Sequence, residues 1–131
     1  MNSHWASKYI GQPWSFDCNC YEWFRRITKE QFNRELPVLM LPQDHLTRRA
    51  AKIMNNQEEY FGYKPTDKPK EGDAVFLSGN NKTSHHIGMV IFIKNKMMVL
   101  HAISEVGVVV SKVRDLKINN LRIQGFWAWQ G

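Results

Sequence analysis

The chain of 131 residues is poor in cysteine and has no long apolar segment. Its longest apolar run, Ile87–Ile93, has the length of a strand, whereas a membrane-spanning helix needs about 20 residues. The opening stretch, MNSHWASKY, lacks the cationic start and apolar centre of a secretory signal. We therefore expect a protein made in the cytoplasm, with no membrane span, that reaches any target outside the cell by a route other than general secretion.

Cysteine occurs only at Cys18 and Cys20, one residue apart. Side chains so close in sequence do not easily reach disulfide geometry on a regular element. A C-x-C pair followed by a distant histidine pair also lacks the usual ligand spacings of zinc sites. The sequence therefore predicts two reduced thiols, no structural disulfide, no metal site and no cofactor.

Acidic residues are also in the minority, with 12 Asp and Glu against 18 Lys and Arg, so the net charge is +6. The cations are spread along the chain without a dense basic block, and no zinc-finger or RNA-binding aromatic motif is present. This composition predicts either a solvated basic face or a weak attraction to an anionic surface, such as the cell wall or nucleic acid. Because the sequence has no nucleic-acid-binding motif, we expect no nucleic-acid partner.

The hydrophobic pattern of the first part of the chain is helical. Apolar residues recur at helical spacing from Cys20 to Ile27, which predicts a helix over about 18–29. Ser15 or Asp17 would cap its start. The sequence also predicts a second helix, over about 44–60, and a Pro- and Gly-rich loop before Asp73.

From Asp73 onward the period changes to that of strands. Five short β-type runs follow, separated by turn residues: DAVFL, HIGMVIFI, MMVLHA, VGVVVS and GFWAW. Helices followed by strands indicate an α+β fold with an antiparallel sheet of about five strands. We expect a single domain over 1–131, with a helical insertion or cap at about 30–68. The tryptophans of the last run are expected to pack on the sheet rather than to bind carbohydrate.

The two cysteines are predicted to differ in role. Cys20 shares the apolar stripe of the helix and is expected to fill the core as a small hydrophobe. Cys18 lies off the stripe at the predicted helix start, where unpaired N–H groups stabilise a thiolate and lower the pKa of a thiol. A lone cysteine at a helix start is more often structural, so a role for Cys18 as a nucleophile depends on finding a base beside it.

The candidate bases are histidines on the predicted strands. His85 and His86 open the run HHIGMVIFI, and His101 ends the run MMVLH. Because side chains alternate along a strand, His85 is expected to face away from His86. The remaining histidines, His4 and His45, are expected to be surface residues.

The turn between these two strands decides whether His86 and His101 meet. A turn centred on Lys94–Asn95 places His101 opposite Gly88, which leaves room for its ring, and makes His86 a diagonal neighbour on the same face. A turn centred on Asn95–Lys96 would separate the two histidines by about 13 Å. The register between these two would put them on opposite faces. In the first register a relay is available, in which Cys18 attacks, His86 takes its proton and His101 orients the ring of His86.

Taken in order, these segments resemble the NlpC/P60 cysteine peptidases, which are papain-like α+β domains. YIGQPW is similar to the family's lead-in, FDCNC to its Asp-Cys-Ser-Gly segment and KEGDAVFL to its Pro-Gly-Asp strand. HHIGMVIF resembles its His-Val-Gly-Ile strand, VLHA its Ile-His-Ala, and GVVVSKVRDL the strand after it. The resemblance spans about residues 8–116.

The resemblance implies that Cys18 is the nucleophile, His86 the general base and His101 the third, orienting residue. It further implies that Trp14, Asp17 and Asn19, around the nucleophile, contact substrate. The sequence departs from the family where Asn19 and Cys20 replace Ser and Gly, and where the Gly-rich stretch before the cysteine is missing. The segment from about residue 28 to 70 matches no part of the family that we can name.

The implied function is cleavage of a peptide bond in peptidoglycan stem peptides, after D-glutamate in one version. The backbone N–H of Cys18 would stabilise the oxyanion. Without a secretory signal, we expect a phage tail-associated lysin carried in the virion, with an effector injected into the periplasm or a cytoplasmic recycling enzyme as alternatives. The partners would then be phage tail or secretion-machine proteins.

Two other functions fit the same residues. A papain-like acyltransferase or lipase would use the same thiolate with a lipid acyl donor. A catalytically idle tail-assembly or wall-binding module would keep the fold without using the triad.

Overall fold

The computed structural model describes residues 4–15, 17–38, 62–78 and 84–130. The predicted helix at 44–60, most of the predicted insertion and His45 lie outside these ranges, as does the side chain of His85. The elements in chain order are a 3-10 helix Trp5–Lys8, α1 Cys20–Phe32, β1 Tyr63–Thr66, β2 Ala74–Ser78, β3 Ser84–Ile93, β4 Lys96–Ile103, β5 Gly107–Lys112, a second 3-10 helix Val113–Asn119 and β6 Arg122–Trp129.

The strands form one antiparallel sheet of six, in the order β1-β6-β2-β3-β4-β5. The predicted α+β class and all five predicted strands are confirmed. The strand count was wrong by one, because β1 lies where a loop and a helical cap were predicted. Pro65 indicated a loop, but proline is tolerated on an edge strand such as this one, which pairs on one side only with β6. Over the described ranges, α1 is the one α-helix.

The hairpin of β3 and β4 has the register that brings the histidines together. Its pairs run from Met89–Leu100 to Ile93–Lys96. The turn residues Lys94 and Asn95 both have positive φ angles, 53° and 66°, as a two-residue type I′ turn requires. Of the registers that the sequence left open, the structure therefore has the one with its turn centred on Lys94–Asn95.

Helix α1 begins two residues later than predicted, at Cys20. Asn19 is the cap, and its side chain accepts a hydrogen bond from the backbone N–H of Glu22. The predicted caps, Ser15 and Asp17, were wrong, because an asparagine directly before the helix can reach the exposed N–H groups of the first turn. Ser15 instead bonds the backbone of Cys18.

The sheet has a core on each face. On the first face, the buried stripe of α1, including Cys20, Phe24 and Ile27, packs on β3 and β4. Trp127 and Trp129 of β6 pack against the same core, as expected. The second face carries a smaller core, which the second 3-10 helix covers through Leu116; its buried strand residues are Val75, Leu77, Val90 and Val99.

Candidate functional site

Two histidines bond to each other on the second face of the sheet. Alternation along the strands places His86 on the same face as Val90, and His101 on the same face as Val99. Nε2 of His86 lies 2.8 Å from Nδ1 of His101. Both side chains are buried, with 5% and 3% of their surfaces exposed. Because each of these ring nitrogens is used in the bond, the two rings hold each other's orientation.

Gly88 makes room for this pair. A Cβ at position 88 would lie 2.7 Å from Cγ1 of Val99 and 3.2 Å from Cβ of His101. Both distances are shorter than ordinary carbon contacts, which lie at about 3.5–4.0 Å. The space that the sequence predicted for the ring of His101 is therefore present, and it depends on the absence of a side chain at Gly88.

A third side chain extends the pair. Nε2 of His101 lies 2.8 Å from Oγ of Ser111 on β5. Burial lowers the pKa of His101 to about 4, so this ring is neutral near pH 7. Sequence reasoning missed Ser111. The signal available was the spacing of β5, since Ser111 pairs with Val99, two residues from His101 on the same face.

Cys18 lies in a tight loop before the helix. Its backbone N–H donates to Oγ of Ser15 at 3.0 Å and to the backbone oxygen of Ser15 at 3.2 Å, and the N–H of Ser15 donates back to the oxygen of Cys18 at 3.1 Å. The expectation that Cys18 starts the helix was therefore wrong, because Cys18 precedes the cap residue Asn19. The N–H expected to stabilise an oxyanion donates within the loop in this structure.

The electrostatic surroundings of Cys18 also differ from the prediction. Burial raises the pKa of the Cys18 thiol above its ordinary value, with Arg26 opposing this, Glu22 adding to it and Arg25 opposing it. Both arginines bond the carboxylate of Glu22, Arg25 at 2.6 and 2.8 Å and Arg26 at 2.7 Å. Since Cys18 stands outside the first turn of α1, the helix contributes less to its thiolate than the sequence indicated.

Cys20 has the structural role that was predicted for it. Its side chain is buried in the first core, and both cysteines are free thiols. Burial raises the pKa of Cys20 to about 11, while the backbone N–H of Ile87 lowers it in part by hydrogen bonding. The start of α1 therefore contacts β3 at the residue that follows His86.

The histidine pair lies at one end of the sheet, on the face opposite α1, and the loop of Cys18 approaches the same end. The pairing of β3 with β4 stops at Met89–Leu100, so His86 and His101 lie just beyond the last pair. The lead-in runs beside the start of β5, where Gly11 and Gln12 exchange backbone hydrogen bonds of 2.9 Å with Val108. The loop of Cys18 connects this lead-in to α1, whose first residue contacts Ile87. The loop is therefore anchored on both sides at the end of the sheet that carries the histidines.

A model of the NlpC/P60 family matches residues 6–123, which include α1, the histidine strands and the start of β6. The chain belongs to the NlpC/P60 family. The predicted resemblance is confirmed. No curated protein matches the chain. Membership places the chain among papain-like proteins that are generally cysteine peptidases or amidases of the cell-wall hydrolase kind.

The side chains near Cys18 in sequence differ in their surroundings. Asn19 is buried and caps α1. Trp14 is half-buried against the first core, and Asp17 is exposed. Of the residues predicted to contact substrate, Trp14 and Asp17 therefore present surface beside the loop of Cys18, whereas the side-chain oxygen of Asn19 is used by the helix.

His4 is not the surface residue that was expected. Its Nδ1 accepts a hydrogen bond from the N–H of Ala6 at the first 3-10 helix, and its Nε2 lies 2.9 Å from Glu71. Among the residues with described side chains, no three His, Cys, Asp or Glu come together as a metal-binding group. None of the helices in the described ranges is long and apolar enough to cross a membrane.

Proposed function

We propose that this NlpC/P60 protein is a thiol hydrolase that cleaves peptide bonds in peptidoglycan stem peptides. Cys18 is the nucleophile, His86 the general base and His101 the residue that orients it. The observation that carries this proposal is the buried hydrogen bond of 2.8 Å between His86 and His101, at the end of the sheet where the Cys18 loop is anchored. An imidazole pair of this kind supplies a base and its orienter.

In the proposed reaction, Nδ1 of His86 takes the proton of the Cys18 thiol, since Nε2 of His86 is bonded to His101. The sulfur then attacks the carbonyl carbon of the scissile bond, and the imidazolium of His86 gives its proton to the departing amine. Water attacks the resulting thioester with His86 as base, which releases the new carboxylic acid and restores the thiol.

The raised pKa of Cys18 makes the base necessary. A buried thiol with a raised pKa is protonated near pH 7, so the sulfur becomes nucleophilic only as its proton moves to His86. His101 stays neutral at that pH because burial lowers its pKa to about 4. His86 therefore bears the positive charge while its neighbour accepts a hydrogen bond from it.

Oxyanion stabilisation requires one exchange of partners in this proposal. The N–H of Cys18 donates to both Oγ and the backbone oxygen of Ser15 in the present structure. In this proposal the substrate oxygen replaces both of these acceptors, since Ser15 is an exposed residue. Preorganised donors of this kind contribute roughly 3–4 kcal/mol in comparable sites.

The peptidoglycan substrate is inferred from the family and fits the charge. A net charge of +6 favours contact with an anionic wall. Carriage to the wall by a phage tail particle remains our proposal for how enzyme and substrate meet.

Digestion of purified muropeptides, with products identified by mass, tests the function. We expect a new amine and a new carboxylate at one peptide bond. Cys18→Ala should reduce the rate by about 10³-fold or more, whereas the matched thiol variant Cys20→Ala should stay active with some loss of stability, since Cys20 fills the core.

Two results would contradict the assignment. Unchanged cleavage by folded Cys18→Ala would exclude it as the nucleophile. A folded wild-type protein that binds peptidoglycan but cuts no bond would instead favour the idle wall-binding module.

A further inference from the structure

The hydrogen-bonded chain on the second face does not end at the histidine pair. Oγ of Ser111 lies 2.8 Å from Nε2 of His101, which in turn bonds His86 through Nδ1. His101 is 3% exposed, whereas Ser111 is half-buried. Three side chains from three neighbouring strands, β3, β4 and β5, therefore share one line of hydrogen bonds that runs from the buried pair toward the surface.

We propose that Ser111 is a positioning residue, whose oxygen accepts a hydrogen bond from Nε2–H of His101 and so holds His101 in the tautomer that accepts a bond from His86. The inference rests on the proposed function, because the base role of His86 selects between the two directions in which the chain can run.

In the first direction, Nε2–H of His86 donates to Nδ1 of His101, and Nε2–H of His101 donates to Ser111. Nδ1 of His86 then carries a lone pair and can accept a proton. In the second direction, Ser111 donates to His101 and His101 donates to His86, which places the hydrogen of neutral His86 on Nδ1. Only the first direction leaves the nitrogen that faces away from His101 basic.

The first direction is also the one that the charged intermediate needs. Once His86 is an imidazolium, both of its nitrogens bear hydrogen, so it can only donate to His101. Nδ1 of neutral His101 must then accept this hydrogen bond, so the ring hydrogen of His101 must lie on Nε2. The oxygen of Ser111 lies within reach to accept a bond from that Nε2–H. A buried N–H without such an acceptor is costly.

A serine suits this position because its hydroxyl does not need a second buried partner. The oxygen accepts from His101, while the hydroxyl hydrogen can rotate toward solvent at this half-buried site. Ser111 acts on the reaction through His101 and then through His86, so its removal should change the rate of the chemical step rather than substrate binding.

Nitrogen-15 NMR of protein labelled at histidine reads the tautomer directly, with the His101→Asn spectrum used for assignment. We expect neutral His101 to be protonated on Nε2 in the wild type, and to become a mixture of tautomers in Ser111→Ala. A wild-type His101 protonated on Nδ1 would overturn the inference, and so would identical tautomer populations in wild type and Ser111→Ala.

Kinetics form the second arm. Ser111→Ala should lower kcat about 3- to 10-fold, the range expected for loss of one hydrogen bond between neutral groups, with KM close to wild type. Ser111→Thr keeps the hydroxyl and should restore kcat, and the exposed turn residue Ser104 provides the control Ser104→Ala. A wild-type kcat in folded Ser111→Ala would overturn the positioning role.

The proposed function and the positioning role of Ser111 can be refuted independently. If the wild type cuts no peptide bond, the proposed function fails, yet the NMR measurement still decides the tautomer of His101. If the wild type is active and the tautomer does not depend on Ser111, the present inference alone fails.

Discussion

At the scale of single residues, the reactivity of Cys18 is set by opposing effects. Burial raises the pKa of its thiol, and the positive charge of Arg26 is the largest effect that lowers it. Arg26 is itself held by Glu22 at 2.7 Å and lies over the ring of Trp23 at 5.9 Å. Cys18 lies outside the first turn of α1, but the helix still affects the pKa of its thiol through the charge of Arg26.

Removal of that charge should make the thiol less reactive. In Arg26→Gln, Glu22 loses one of its two partners and Cys18 loses its largest favourable charge, so both changes disfavour the thiolate. We expect alkylation of Cys18 by iodoacetamide near pH 8 to slow roughly two- to fivefold, the size of a partly exposed charge interaction. Rates are followed by peptide mapping, which also separates Cys18 from buried Cys20.

Two matched variants control this measurement. Arg26→Lys keeps the charge and should stay near the wild-type rate. Arg114→Gln removes an exposed arginine that is not among the charges acting on Cys18. Equal rates for wild type and Arg26→Gln would show that Arg26 does not tune the nucleophile.

At the scale of elements, the β3–β4 hairpin carries most of what the site needs. Its turn fixes the register, and the register places His86 diagonal to His101. Gly88 then permits the close approach, because a Cβ there would lie 2.7 Å from Val99. Strand pairing and one glycine are thus sufficient to bring two histidines 15 residues apart into a bond.

Gly88→Ala should therefore damage the histidine pair as well as the fold. Overpacking of this kind costs about 1–3 kcal/mol of unfolding free energy, and we expect kcat per folded molecule to fall in addition. Urea unfolding gives the first quantity, and peptide cleavage the second. Gly125→Ala is the matched control, since its Cβ would lie 2.9 Å from Trp127, away from the histidines.

Both variants should lose stability, but only Gly88→Ala should lose activity per folded molecule. Gly125→Ala should lose stability while the folded fraction keeps its activity. If folded Gly88→Ala also keeps wild-type activity, the spacing at Gly88 does not matter for the relay.

The sequence predicted that a hairpin joins β3 and β4, because its short polar turn is local, but it left three registers open. The turn at Lys94–Asn95 selects the register that puts the two histidines on one face. β1 could not be predicted in this way, since its pairing with β6 joins residues far apart in sequence and Pro65 obscured it. Ser111 was missed for the same reason, because its contact with His101 needs the register of β5 as well.

The pKa of Cys18 was mispredicted for a different reason. Proximity to a helix in sequence does not give a position in its first turn, because Asn19 caps the helix, which begins at Cys20, and Ser15 closes the loop before it. Side-chain capping is a choice among several nearby candidates, and burial depends on the whole fold. Neither can be read from helical periodicity alone.

At the scale of the whole molecule, the two faces of the sheet differ in role. The first face, with α1 and the larger core, provides stability, and the second face buries polar groups beside a smaller core. Burial of a titratable group makes stability depend on pH. His101 is the clearest case, because burial lowers its pKa from 6.5 to about 4.

The folded protein should consequently lose stability in mild acid. Between about pH 6.5 and 4 the unfolded chain binds a proton at His101 that the folded protein does not bind. The stability due to neutral His101 is therefore complete above this window, falls as the pH is lowered through it and levels off below it. The loss should approach about 3 kcal/mol.

Urea unfolding of wild type and His101→Asn, at several pH values from 4 to 7, isolates this effect. Asparagine can still accept a hydrogen bond from His86 but does not titrate, while the carboxylates that also titrate near pH 4 are common to both proteins. We expect the stability of the wild type to fall relative to that of His101→Asn as the pH falls from 6.5, because only the wild type has a histidine to protonate at this position on unfolding. Parallel curves across the window would show that His101 is not buried as a neutral ring, and the orienting role proposed for it would then lose its physical basis.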